Sequence, residues 1–153
     1  MESKVISHSM YDATIYIIDN DREYTDKIKH FLRESGFQDV VIFHSAKEGL
    51  EQLLRYKKKE SLVITELYFQ KTTGDFVIKQ LKDKYEDIKI LVLSGTKKMS
   101  DALKCVGKFK ASSFMRKGVD DNKEHIIEII REQLKSYHSV SDLIKVTFED
   151  VKV

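Results

Sequence analysis

The chain has 153 residues, a length that suits one compact domain able to bury a core without disulfide or metal staples. Hydrophobic residues make up 41% and charged residues 34%, a globular balance that excludes disordered and fibrous classes. A formal net charge of +2 gives no electrostatic ground for a nucleic-acid partner, and Met1-Glu2-Ser3-Lys4-Val5 lacks the apolar core of a secretion signal.

In chain order, residues 1–12 read as an N-terminal extension, 13–138 as the folded domain and 139–153 as a tail. Thr14 to Ile18 is a short run of mostly β-branched residues, and it predicts a strand that ends in the acidic loop Asp19-Asn20-Asp21. Tyr24, Ile28, Phe31 and Leu32 then fall on one helical face that closes at Gly36. Val40 to Phe43 predicts a second strand. Ser45 with Glu48 forms a capping-box signature, and Ala46, Leu50, Leu53 and Leu54 supply the buried stripe of the helix behind it. The cations Arg55, Lys57, Lys58 and Lys59 close that helix, where its dipole favours them, and need no ligand.

A third strand is predicted at 62–64, running into Thr65-Glu66-Leu67, and Thr73-Gly74-Asp75 opens a third helix facing the sheet through Val77, Ile78 and Leu81. A fourth strand follows at 88–93 and ends in Ser94-Gly95. The fourth helix, near Met99 to Lys108, is short and carries lysines, with the lone Cys105 as a small buried hydrophobe. A fifth strand at 113–115 leads into Arg116-Lys117-Gly118. The fifth helix, from about Asp120 to Tyr137, carries an apolar stripe at Ile126, Ile127, Ile129, Ile130 and Leu134 that is wider than one sheet contact requires. In the tail, the alternation of Ile144, Val146 and Phe148 reads as an extra strand.

Continuous apolar strands alternating with helices imply a doubly wound parallel sheet with both faces covered. In such sheets ligands bind beyond the carboxyl ends of the strands, which selects the acids after strand one, Glu66, Ser94 and Lys117. A phosphate-cradling nucleotide loop would be rich in glycine or hydroxyls after strand one, and here it is acidic, a composition that suits a hard divalent cation instead. His8, His30, His44, His125 and His138 lie far apart, and no nucleophile-base pair or metal cluster supports an enzyme.

Ile17-Ile18-Asp19-Asn20-Asp21, Leu62-Val63-Ile64-Thr65-Glu66-Leu67, Ser94-Gly95 and Phe114-Met115-Arg116-Lys117 together resemble the landmarks of bacterial response-regulator receiver domains, over roughly Ile15 to Leu134. The resemblance implies a flavodoxin-like, five-stranded sheet of order 2-1-3-4-5. In that family an aspartate ending strand three accepts a phosphoryl group from a histidine kinase, two acids after strand one hold magnesium, and a hydroxyl and a lysine bind the phosphoryl oxygens. Asp19, Ser94, Phe114 and Lys117 match this pattern, Phe114 as the switch aromatic. Glu66 replaces the acceptor aspartate, Asn20 replaces the second metal-binding acid, and Gln70 and Gly118 stand where prolines are common.

Phosphoryl transfer depends on positioning and metal neutralisation, so the extra methylene of Glu66 and the lost charge at Asn20 both work against it. The resulting expectation is a stand-alone, cytoplasmic pseudo-receiver that acts through protein contacts without phosphorylation. Asp19, Asn20 and Glu66 would then form at most a weak Mg2+ site, with no other cofactor. The longer Glu66 would reach toward Lys117 and Ser94. The alternative is an atypical phosphoacceptor, using Glu66 or Asp21 with magnesium. Partners would be a histidine kinase or a downstream effector, or a second copy in a homodimer, met at a face built from Lys104, Lys108, Arg116, Ile126 and Ile130, with neither nucleic acid nor membrane involved.

Overall fold

Consecutive apolar side chains in the middle of the strands, pointing to both faces of the sheet, require both faces to be covered, and the arrangement of the chain follows from that. The computed structural model describes residues 9–135 apart from Lys97. Five strands, β1 (Thr14–Ile18), β2 (Val40–Phe43), β3 (Ser61–Thr65), β4 (Lys89–Ser94) and β5 (Ser113–Arg116), pair in the order β2-β1-β3-β4-β5, every neighbour parallel. Five helices connect or follow them: α1 (Arg22–Glu34), α2 (Ala46–Arg55), α3 (Gly74–Lys84), α4 (Met99–Leu103) and α5 (Lys123–Lys135). The doubly wound sheet of the expected order is therefore present.

The strand period of two divides the core. Ile15, Ile17, Leu62, Ile64, Leu91 and Leu93 pack toward α1 and α5 with Ile28, Leu32, Phe37 and Met115. Tyr16, Ile18, Val63, Ile90 and Val92 pack on the opposite face with Leu50, Leu53, Val77, Ile78, Leu81 and Cys105. Cys105 has no solvent exposure, and burial first, then the charges of Asp101 and Asp75, pushes its thiol up to about 11, so it serves as a core hydrophobe.

Helix ends follow local chemistry. Gly36 adopts φ +104, while its N–H bonds Arg33 O and the Phe37 N–H bonds Leu32 O, the paired contacts of a Schellman end. Ser45 accepts from the Glu48 N–H at 3.1 Å to cap α2. The predicted fourth helix changes character: α4 has five residues and continues as a π-helical turn over Lys104–Lys108 before Lys110 takes φ 63. The fifth helix begins at Lys123, not near Asp120, because Asn122 caps it by accepting from the His125 N–H at 2.8 Å. That leaves Asp120 and Asp121 free for other contacts.

The structure overturns the expected partner face on α5. Ile126 and Ile130 have no exposed surface and lie in the core cluster under the sheet, so neither contributes to a partner face. The wide stripe is consumed because α5 packs on the sheet and α1 while also receiving the turn Met10–Asp12, whose Tyr11 ring sits 4.9 Å from that of Phe37. Residues 10–12, expected as an extension, are thus docked on the domain. The predicted tail strand lies outside the described residues. Among those described, no helix is long and apolar enough to cross a membrane.

Candidate functional site

The sheet order reverses between β1 and β3, so the loops leaving those strands flank the crevice where parallel sheets carry their chemistry. Asp19 follows β1 and Glu66 follows β3; the Glu66 N–H bonds Ile18 O at 3.0 Å, which fixes the two loops side by side. Ser94 ends β4, and the Lys117 N–H bonds Ser94 O at 2.7 Å, which brings the β5 end to the same spot. Four of the residues singled out from the sequence, Asp19, Glu66, Ser94 and Lys117, therefore converge.

The carboxylate of Glu66 is met by donors on one oxygen and a cation on the other. Its Oε1 accepts from Ser94 Oγ at 3.1 Å and from the Gly95 N–H at 3.4 Å. Its Oε2 lies 3.4 Å from Lys117 Nζ and has no hydrogen bond. Lys117 bonds Asp19 Oδ2 more closely, at 2.7 Å. Side-chain exposure is 5% for Asp19, 9% for Glu66 and 17% for Lys117, so two carboxylates share one ammonium in a nearly dry crevice.

Burial is the largest influence on Glu66 and raises its carboxyl pKa from the ordinary 4.5; Lys117 opposes this, the Asp19 charge adds to it, and Ser94 and Gly95 oppose it. A carboxyl raised in the fold holds its proton longer than in the unfolded chain, so its stabilising contribution is complete below the ordinary glutamate value and is lost as pH rises through the raised one. Unfolding free energy followed by urea denaturation should decline across that window, and Glu66→Gln should flatten the decline. Superimposable pH profiles for the two proteins would contradict a raised Glu66.

The residues present do not fit a magnesium ion in this arrangement. Asp19 Oδ2 is held by Lys117, and its Oδ1 accepts from the Asp21 N–H at 2.9 Å. Asn20 is exposed, brings no charge, and lines the adjoining cleft with His44, Leu50 and Phe76. Asp21 caps α1 by accepting from the Tyr24 N–H at 3.0 Å. Among the described residues no group of three or more His, Cys, Asp and Glu is placed to hold a metal.

Phe114 lies half-buried on β5, opposite Val92, and packs against the core cluster on the α2 and α3 face. Arg116, expected on a partner face, is engaged by Asp120 through Nε at 2.8 Å and Nη2 at 3.1 Å. Lys104 and Lys108 are exposed on the π-helical turn.

Three contributors were missed from sequence. The Gly95 amide is backbone and carries no residue signal. Tyr24, assigned to the core face of α1, lies with its ring centroid 4.3 Å from Lys117 Nζ and donates its hydroxyl to Asp121 Oδ2 at 2.6 Å. Asp121, only 8% exposed, also accepts from the Gly118 N–H at 2.8 Å. The one clue was the absence of proline at Gly118, since a proline could not have donated.

The family description "Response regulator receiver domain" matches residues 15–138. Among solved structures, a response regulator receiver domain protein from Clostridium thermocellum is 22% identical, with 82% of this chain and 96% of that chain covered at a TM-score of 0.73. A CheY-like receiver domain protein from Methanospirillum hungatei is 21% identical, covering 82% of this chain and 95% of its own at 0.72. The signal receiver domain of an HD domain-containing protein from Pseudomonas fluorescens is 13% identical, covering 88% and 95% at 0.74. No curated protein matches the chain.

Proposed function

Because the chain belongs to the response-regulator receiver family, we propose that it is a cytoplasmic two-component-type signalling module that works through protein contacts without being phosphorylated. The observation that carries this is the seat of Glu66. Its carboxylate lies among Ser94 Oγ, the Gly95 N–H and Lys117 Nζ, and the hydroxyl and ammonium of that set are the groups that in the family receive phosphoryl oxygens. An anion already held by those donors removes both the vacancy and the short nucleophile that phosphoryl transfer requires. It also offers a standing substitute for the negative charge that phosphorylation would deliver.

The output surface follows from exposure. Met99, Leu103 and Val106, spaced at i, i+4 and i+7 along α4 and the π-helical turn, are 60%, 72% and 46% exposed. Exposed Lys98, Lys104 and Lys108 lie among them. An apolar strip edged by lysines suits a protein partner that presents apolar side chains in an acidic setting, in the manner of an effector or a kinase docking helix. Arg116 and the two buried isoleucines are not part of it.

Incubation of the purified chain with acetyl phosphate and Mg2+, followed by intact mass, tests the proposal. The chain should gain no phosphoryl group, and a Glu66→Asp variant should label at a higher level. A stoichiometric acyl phosphate on Glu66 of the unaltered chain would establish the phosphoacceptor alternative instead.

A further inference from the structure

Tyr24 makes two contacts that belong together. Its ring face meets the Lys117 ammonium at 4.3 Å, with the exposed Lys27 ammonium farther off at 5.5 Å. Its hydroxyl, half-buried, is anchored on Asp121, and burial followed by that hydrogen bond pushes it well above the ordinary tyrosine range, so it stays a proton donor. Asp121 is itself fixed by the Gly118 N–H, and Gly118 holds φ +78, a turn and a donor that proline could not supply. Gly118 directly follows Lys117, whose own N–H is tied to Ser94 O. Lys117 is thereby held at its backbone by the β5 turn and at its tip by a ring tied to that same turn.

We infer, resting on the reading of Glu66 given above, that Tyr24 is a positioning residue which, anchored by Asp121 and Gly118, clamps the Lys117 ammonium over Asp19 and Glu66 and shuts the crevice. The chemistry is direct. Two buried carboxylates draw on one ammonium, and the negative ring face on its open side stabilises the cation where water would otherwise solvate it. A lysine held this way serves as the resident cation of the acid pair, in place of an exchangeable ion. It also stands between solvent and the carboxylates, because the acids keep less exposed surface than the lysine that covers them.

The test is the acylation rate of each lysine in the full chain, read by peptide mass spectrometry after pulses of N-acetoxysulfosuccinimide under native conditions. In the unaltered chain Lys117 should react far more slowly than the exposed Lys27 and Lys79. Tyr24→Leu should accelerate Lys117 by roughly tenfold and leave Lys79 unchanged. Tyr24→Phe, which keeps the ring but loses the anchor, and Asp121→Asn, which keeps a side-chain acceptor, should give smaller rises confined to Lys117. An unchanged Lys117 rate in Tyr24→Leu overturns the clamp. So does a uniform rise at every lysine in both Tyr24 variants, since that reports a loosened fold. Fast Lys117 acylation in the unaltered chain refutes the clamp alone, whereas phosphorylation of Glu66 refutes the silent-site reading and leaves the clamp standing.

Discussion

Lys117→Ala should lower the unfolding free energy by about 3–5 kcal/mol at neutral pH, the range found when one partner of a buried ion pair is deleted. The magnitude follows from what remains. Asp19 and Glu66, with side chains 5% and 9% exposed, would face each other without a cation, and burial already raises Glu66. Much of the loss is therefore a penalty on the orphaned acids rather than the net value of the pair. Adding Glu66→Gln to Lys117→Ala should recover part of it, because one of the two charges is then gone. Lys123 offers the contrast: its pair with Glu34 is 35% and 45% exposed, and Lys123→Ala should fall within about 1 kcal/mol of the unaltered chain. Urea denaturation of the four proteins measures this. Equal, small losses for the two lysines would mean that the crevice is wetter than its geometry implies.

Ile130→Ala should cost about 2–5 kcal/mol, the range for truncating a fully buried aliphatic side chain. Ile130 has no exposure and sits with Ile126, Ile127 and Leu134 against Leu62, Ile64 and Leu93 of the sheet. The melting temperature should fall accordingly, and any effect on partner capture should track the unfolded fraction. A stable Ile130→Ala protein that loses only partner capture would restore α5 as a docking face. An exposed position such as Leu103, 72% accessible, should behave in the opposite way, retaining stability.

Much of the molecule was legible in one dimension because its determinants are local. Strand positions such as Ile15 to Ile18 are apolar and mostly β-branched without alternation, a pattern that suits a sheet covered on both faces. The ends of α1 and α2 were carried by Gly36 and Ser45, residues whose backbone or side chain performs the capping itself. The order of acids, hydroxyl and lysine at successive strand ends marked the crevice. Boundaries drifted where two local signals competed, as at α5, where the start was expected near Asp120 but Asn122 supplied the cap.

Hydrophobic period and capping residues thus settled the fold class from sequence alone, and the acidic loop after β1 pointed to the candidate crevice, since each acts over a few neighbouring residues. Which carboxylate oxygen Lys117 takes, whether Ile126 and Ile130 face a partner or the core, and the clasp of Tyr24 on Asp121 were decided only by the tertiary structure. Those contacts join residues as far apart in the chain as Tyr24 and Asp121, and no local pattern encodes the meeting of two surfaces that only folding brings together.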